Sequence, residues 1–188
     1  MKRTISILFI LSIFLCFAEE TKTEEWTPEF VNLDEMKVVG IQSYMSNNLN
    51  LIGNLWERFM ERAEEVEYQK FENVGVGISY GSNVISEDPE KMEYHYFHLV
   101  GYPVKKVKKL PEGICWKSVP EGLYAKFTYK GKLENLGKIY DYIFMEWLPE
   151  SGYEYDTNKV DMEWYGEEFE MDSDDSKMYI YVPLVENE

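Results

Sequence analysis

GLYAKFTYKGKLENLGKIYDYIFMEWL, residues 122–148, reads as one strand followed by one amphipathic helix. Leu123 to Tyr129 is the strand, and Lys130 and Gly131 close it. From Leu133 to Leu148, Leu136, Ile139, Tyr140, Ile143, Phe144 and Trp147 recur at three- and four-residue steps, which makes one apolar helix face. Pro149 is expected to stop the helix, because proline cannot continue its hydrogen-bond ladder. Two short strands follow, Asp161 to Gly166 and Met178 to Leu184, separated by an acidic loop at Asp172 to Ser176.

The same order stands earlier in the chain. Lys37 to Tyr44 carries Val38, Val39 and Ile41 and suits a buried strand. Asn47 or Asn48 can cap a helix whose apolar face is Leu51, Leu55, Trp56, Phe59, Met60 and Ala63. Val74, Val76, Ile78 and Tyr80 alternate with Gly75, Gly77 and Ser79, a strand with one face of small residues. Gly81 to Lys91 reads as a polar loop, Met92 to Val104 as a strand, and Lys105 to Gly113 as a joint between the halves. Cys115 to Val119 and the Pro120-Glu121-Gly122 turn lead into the second unit. Two βαββ units predict an α+β fold, an antiparallel sheet with both helices on one face, and leave the other face free to curve around a central ligand pocket. The domain so read covers residues 36–188, after a linker at 19–35.

The segments of the second half carry a resemblance: Gly122 to Phe127, Gly131, Tyr140 to Tyr153 (YDYIFMEWLPESGY), Asp161 to Tyr165 and Met178 to Leu184. In this order they resemble the GyrI-like small-molecule-binding superfamily, which includes the effector-binding domains of AraC- and MerR-type regulators. The Leu55-Trp56 helix and the Gly77 to Tyr80 strand agree with it, so the resemblance spans about residues 36 to 184. It implies a duplicated βαββ fold with a pocket for amphipathic, often cationic, organic molecules, and Glu163 matches the family's pocket glutamate. It also implies that some members hydrolyse strained cyclopropane-containing toxins through pocket acids. Some 35 residues precede the domain, too few for a helix-turn-helix.

Those first residues read as an export signal. Lys2 and Arg3 precede the apolar Ile5 to Phe17, and Cys16-Phe17-Ala18 offers small residues for cleavage after Ala18. A lipoprotein cut before Cys16 is the alternative, and an uncleaved anchor the third reading. The expectation is a stand-alone domain outside the cytoplasm with no membrane span once residues 1–18 are lost. Loss of Lys2 and Arg3 would take the formal charge from −16 to −18. Such a field repels a phosphate backbone, so nucleic acid is not an expected partner, while cations are attracted. Cys115 alone would remain, without an internal disulfide partner and with no neighbouring histidine in sequence.

Strand alternation assigns the site residues. If Met162 and Trp164 face the helices, Asp161, Glu163 and Tyr165 share the other face. With Met178, Ile180 and Val182 inward, Tyr179 and Tyr181 fall beside Glu163. Tyr94, Tyr96 and His98 share a face of their strand, as do Tyr124, Lys126 and Thr128, and some of these are expected to complete the wall. The 15 tyrosines suit a half-wet cavity, and a carboxylate framed by phenol rings suits an organic cation. The ligand set is therefore Glu163, Tyr165, Tyr179, Tyr181, Tyr94, Tyr96 and Tyr124. A hydrolase would use Glu163 to position water and Tyr165 to donate a hydrogen bond. A third possibility is an acidic protein-docking module. No metal or cofactor is expected: His95 and His98 lack spaced partner acids, and Glu167 to Asp175 lacks the spacing of a calcium loop.

Overall fold

The computed structural model describes residues 26–46, 51–86 and 93–185. The signal segment at 1–18, the Asn47 and Asn48 cap and residues 87–91 of the expected Gly81 to Lys91 loop lie outside the described residues.

Eight antiparallel strands form one sheet in the order β1-β6-β8-β7-β3-β4-β2-β5. In chain order they are β1 Glu29–Leu33, β2 Met36–Ser46, β3 Gly75–Ser86, β4 Glu93–Val104, β5 Cys115–Val119, β6 Gly122–Lys130, β7 Asp161–Tyr165 and β8 Lys177–Pro183. Helix α1, Ile52–Met60, connects β2 to β3. The helix between β6 and β7, here α2, runs through Leu136–Asp141, a wider π-wound stretch Tyr142–Trp147, and Leu148–Ser151. The halves are thus β2-α1-β3-β4 and β6-α2-β7-β8, and they meet where β3 pairs with β7.

The helices cover one face. Leu55 and Phe59 of α1 pack with Val39, Ile41 and Val100 of β2 and β4. Ile139 and Ile143 of α2 pack with Phe127, Ile180 and Val182 of β6 and β8. All four helix side chains are almost wholly buried, and each such burial contributes about 1.5–3 kcal/mol. The other face carries an apolar core of its own, including Val38, Ile78, Leu99, Val119, Tyr124 and Met162. Every strand contributes to that core or packs against it and no helix does, so the sheet curls around its own side chains.

Four sequence expectations are corrected here. β1 lies in the stretch taken for a linker and pairs with β6. β3 continues to Ser86 through two irregular registers, one at Gly81 with φ 64°, where a polar loop was expected; a bulge keeps strands paired without strict alternation. Pro149 lies inside α2, which ends instead at Gly152 with φ 76°. The π-wound turn before it restarts the ladder, so Pro149 falls in a first turn where its missing N–H costs little. The face opposite the helices is core, not an open surface for a ligand.

Candidate ligand-binding site

The two helices leave the middle of the sheet between them, and that strip carries the polar residues. Strand β7 sets Glu163 opposite Gly77 of β3 on one side and Ile180 of β8 on the other. Ile180 belongs to the helix-side core, so Glu163 faces the helices as well. It is 5% exposed. Tyr140, from α2, donates its hydroxyl to Glu163 Oε1 at 2.6 Å, and Tyr165 donates to Oε2 at 2.6 Å. Bonds of this length are typical of a phenol on a charged oxygen. Burial, then the neighbouring Glu163 charge, holds both phenols well above their ordinary pKa and keeps them as donors.

Around this carboxylate stand further titratable groups. His98, paired with Ser79, is fully buried, with Nδ1 3.0 Å from Ser79 Oγ. Burial pushes its pKa down, and Glu163 partly offsets that. Asp161 accepts a hydrogen bond from Tyr155 at 3.0 Å. Burial pushes this acid up to about 7; the Tyr155 bond pulls it back and Glu163 adds to the rise. Trp56 of α1 meets Tyr165 edge-on at 5.3 Å, and a Cβ on Gly75 would stand 2.8 Å from its ring. The small residues of β3 thus admit Trp56 on one strand position and the tips of Glu163 and His98 on the next. Tyr94 and Tyr96, whose rings are 5.9 Å apart, continue the His98 face of β4 outward.

Of the residues assigned from sequence, Glu163, Tyr165, Tyr96 and Tyr94 share the helix-side face. Tyr179, Tyr181 and Tyr124 do not. Tyr179 pairs with Trp164 and Tyr181 with Met162, on the other face. Tyr179 donates to Glu168 and lies under Lys126, whereas Tyr124 is fully buried and donates to the Pro120 carbonyl. The error came from sending bulk to the helices: Met162 enters the core enclosed by the curled sheet instead, and Trp164 packs against it. Tyr140 and Trp56 were read only as apolar helix positions. A tyrosine on a buried helix face needs a partner for its hydroxyl, and that was the available signal for Tyr140.

Two surface hollows, of about 720 and 510 Å³, lie elsewhere. The first is bordered by Lys70, Phe71, Trp164 and Tyr179, the second by Asn32, Glu121 and Lys159, and neither includes Glu163. Glu163 is covered by its two phenols.

The duplicated βαββ sheet is the fold expected of an effector-binding domain. The chain belongs to the Cass2 family of integron-associated effector binding proteins, which it matches over residues 29–184. The GyrI-like resemblance and the small-molecule effector binding it implies are borne out at that level. Over 148 residues it is 32% identical to the transcriptional regulator BrlR of Pseudomonas aeruginosa, covering 78% of this chain and 51% of BrlR. The chain therefore spans about half the length of that relative. Among solved structures, SAV2435 bound to tetraphenylphosphonium aligns with a TM-score of 0.64 at 11% identity, over 84% of this chain and 93% of that one. The C-terminal domain of EcmrR gives 0.59 at 16% identity, over 86% and 99%. The integron cassette protein Cass2 of Vibrio cholerae gives 0.55 at 16%, over 85% and 96%. At these identities the structural likenesses show the fold.

Proposed function

We propose that this protein binds an amphipathic aromatic cation between α1 and α2, with Glu163 as its counter-ion. The observation that carries the reading is a carboxylate 5% exposed whose two hydrogen-bond donors are neutral phenols. A carboxylate held by two phenol donors offers an organic cation both an ion pair and aromatic faces. Trp56, Tyr96, Tyr140 and Tyr165 supply those faces, and entry of a ligand requires Tyr140 or Tyr165 to turn aside. The relative SAV2435 was solved with tetraphenylphosphonium, itself an aromatic cation. The acidic composition, with a formal charge of −16, favours the same class of ligand.

Glu163→Gln keeps the shape and removes the charge. It should weaken a cationic dye about five- to 150-fold, or roughly 1–3 kcal/mol, and a neutral dye of the same shape far less. Titration of both variants with both dyes at fixed salt reads the difference. Equal loss for the two dyes, or none, would leave Glu163 a structural acid. The same proposal places the protein outside the cytoplasm after cleavage at Ala18. N-terminal sequencing of protein from the envelope or medium tests this, and a chain starting at Met1 in the cytoplasm would overturn it.

A further inference from the structure

Two polar tips converge over Gly77. A Cβ at this residue would stand 3.0 Å from Glu163 Oε2 and 3.0 Å from His98 Nε2, so both tips meet the space that the missing side chain leaves. The Nε2 of His98 is buried and has no hydrogen-bond partner among the described residues. A buried polar nitrogen without a partner is costly, and a fold retains one where something else supplies the bond.

We propose that His98 Nε2 is a second acceptor for the ligand, so that the site selects a cation carrying N–H groups, such as a primary ammonium or an amidinium, over a quaternary one. This rests on the reading of Glu163 as counter-ion and specifies the ligand class. One carboxylate oxygen and one imidazole nitrogen lie close enough together beside Gly77 for a single nitrogen with two N–H groups to bridge them. A quaternary centre, clothed in carbon, satisfies the charge and leaves Nε2 unmet.

The second nitrogen of the ring makes this chemistry available. Ser79 Oγ, 3.0 Å from Nδ1, can accept as well as donate. With the proton on Nδ1 and donated to Ser79, Nε2 keeps a lone pair that a ligand N–H can meet. Burial favours the neutral imidazole that this requires. Tyr96 and Tyr94 continue the same face of β4, where the apolar body of the ligand would lie.

The test uses dansylcadaverine, a fluorescent primary ammonium, with its N-trimethyl and N-acetyl derivatives. The same fluorophore then carries an N–H cation, a quaternary cation or no charge. Titrations of the wild-type chain, His98→Phe, His98→Gln and Glu163→Gln are run at fixed salt, with a thermal melt of each variant. The wild-type chain should bind the ammonium about tenfold more tightly than the trimethyl probe. In His98→Phe that ratio should fall to about one through loss of ammonium affinity alone, and His98→Gln, which keeps an acceptor, should restore part of it. Equal affinity of the wild-type chain for the two cations, or equal weakening of both by His98→Phe, would overturn the proposal. Should His98→Phe fail to fold, the wild-type ratio and His98→Gln decide alone. If Glu163→Gln leaves the preference for cations over the acetyl probe unchanged, the counter-ion reading has failed. If that preference collapses while His98 variants change no ratio, only the role of His98 is lost.

Discussion

Helix α1 presents Trp56 where α2 presents Tyr140, and β3 presents Gly77 where β7 presents Glu163. The frames agree: Leu55 and Phe59 anchor one helix, Ile139 and Ile143 the other, all at most 1% exposed. Trp56 and Tyr140 each follow the first anchor of their helix by one residue. Gly77 and Glu163 are cross-strand partners at the seam of the two halves. One copy thus contributes space and an aromatic wall, the other an acid and its phenol. A duplicated unit can be shared in this way because anchors and site residues stand on different positions of the same elements. Apolar anchors fix the backbone, and the seam is left free to differ.

Breaking the anchors should have the largest effect. Phe59→Ala should cost about 3–5 kcal/mol and Ile143→Ala about 2–5 kcal/mol, each through a cavity under a helix. Urea melts followed by tryptophan fluorescence and by circular dichroism should show one coincident transition for either variant. Separate transitions would mean that the halves are independent folding units.

The acid at the start of β7 should come next. Asp161 titrates near 7 in the fold, above its ordinary range, so the folded state holds a proton that the unfolded state has released. Stability from this group is therefore greatest in acid and is lost as pH rises from about 4 to about 7. Asp161→Asn keeps an acceptor for Tyr155 and removes that loss, a gain on the order of 2–3 kcal/mol at pH 8 and little at pH 4. His98 works in the opposite sense: its lowered pKa makes stability fall as pH drops below about 6.5. Thermal melts of Asp161→Asn between pH 4 and 8 check the first slope; a variant no more stable at pH 8 would place the titration elsewhere.

The smallest effect sharpens the contrast between Trp56 and Tyr140. Tyr140→Phe removes one bond to Glu163 and should destabilise the protein by about 1–2 kcal/mol. It should also tighten a cationic dye, since one competing donor is gone. Trp56→Phe keeps an aromatic wall and should leave the preference for cations over neutral dyes unchanged. A matched response of the two variants in dye titrations would show that α2 holds no special place at the site.

The repeated order of strand, helix, strand, strand was legible in the sequence, and the family resemblance singled out Glu163, which the fold buries. Three- and four-residue steps mark a helix face whichever way the sheet beneath it curls, and they located Leu55, Phe59, Ile139 and Ile143 correctly. Alternation likewise grouped Asp161, Glu163 and Tyr165 on one face of β7. Alternation cannot say which face meets the helices when both sides of a sheet are apolar. Met162 and Trp164 therefore misled, and Tyr179, Tyr181 and Tyr124 went with the wrong side. The π-wound turn that admits Pro149 left no readable mark, since the apolar spacing of α2 fits an ordinary helix as well.

Local periodicity is a property of neighbouring residues, so the chain by itself determined both helix faces, most of the strands, their duplication and the grouping of Glu163 with Tyr165. The meeting of Glu163, Tyr140, His98 and Gly77 joins residues from α2, β3, β4 and β7, which are brought together only when two halves pair along β3 and β7. Contacts between residues distant in sequence depend on register and curl, and these were decided by the filling of two apolar cores rather than by any local pattern.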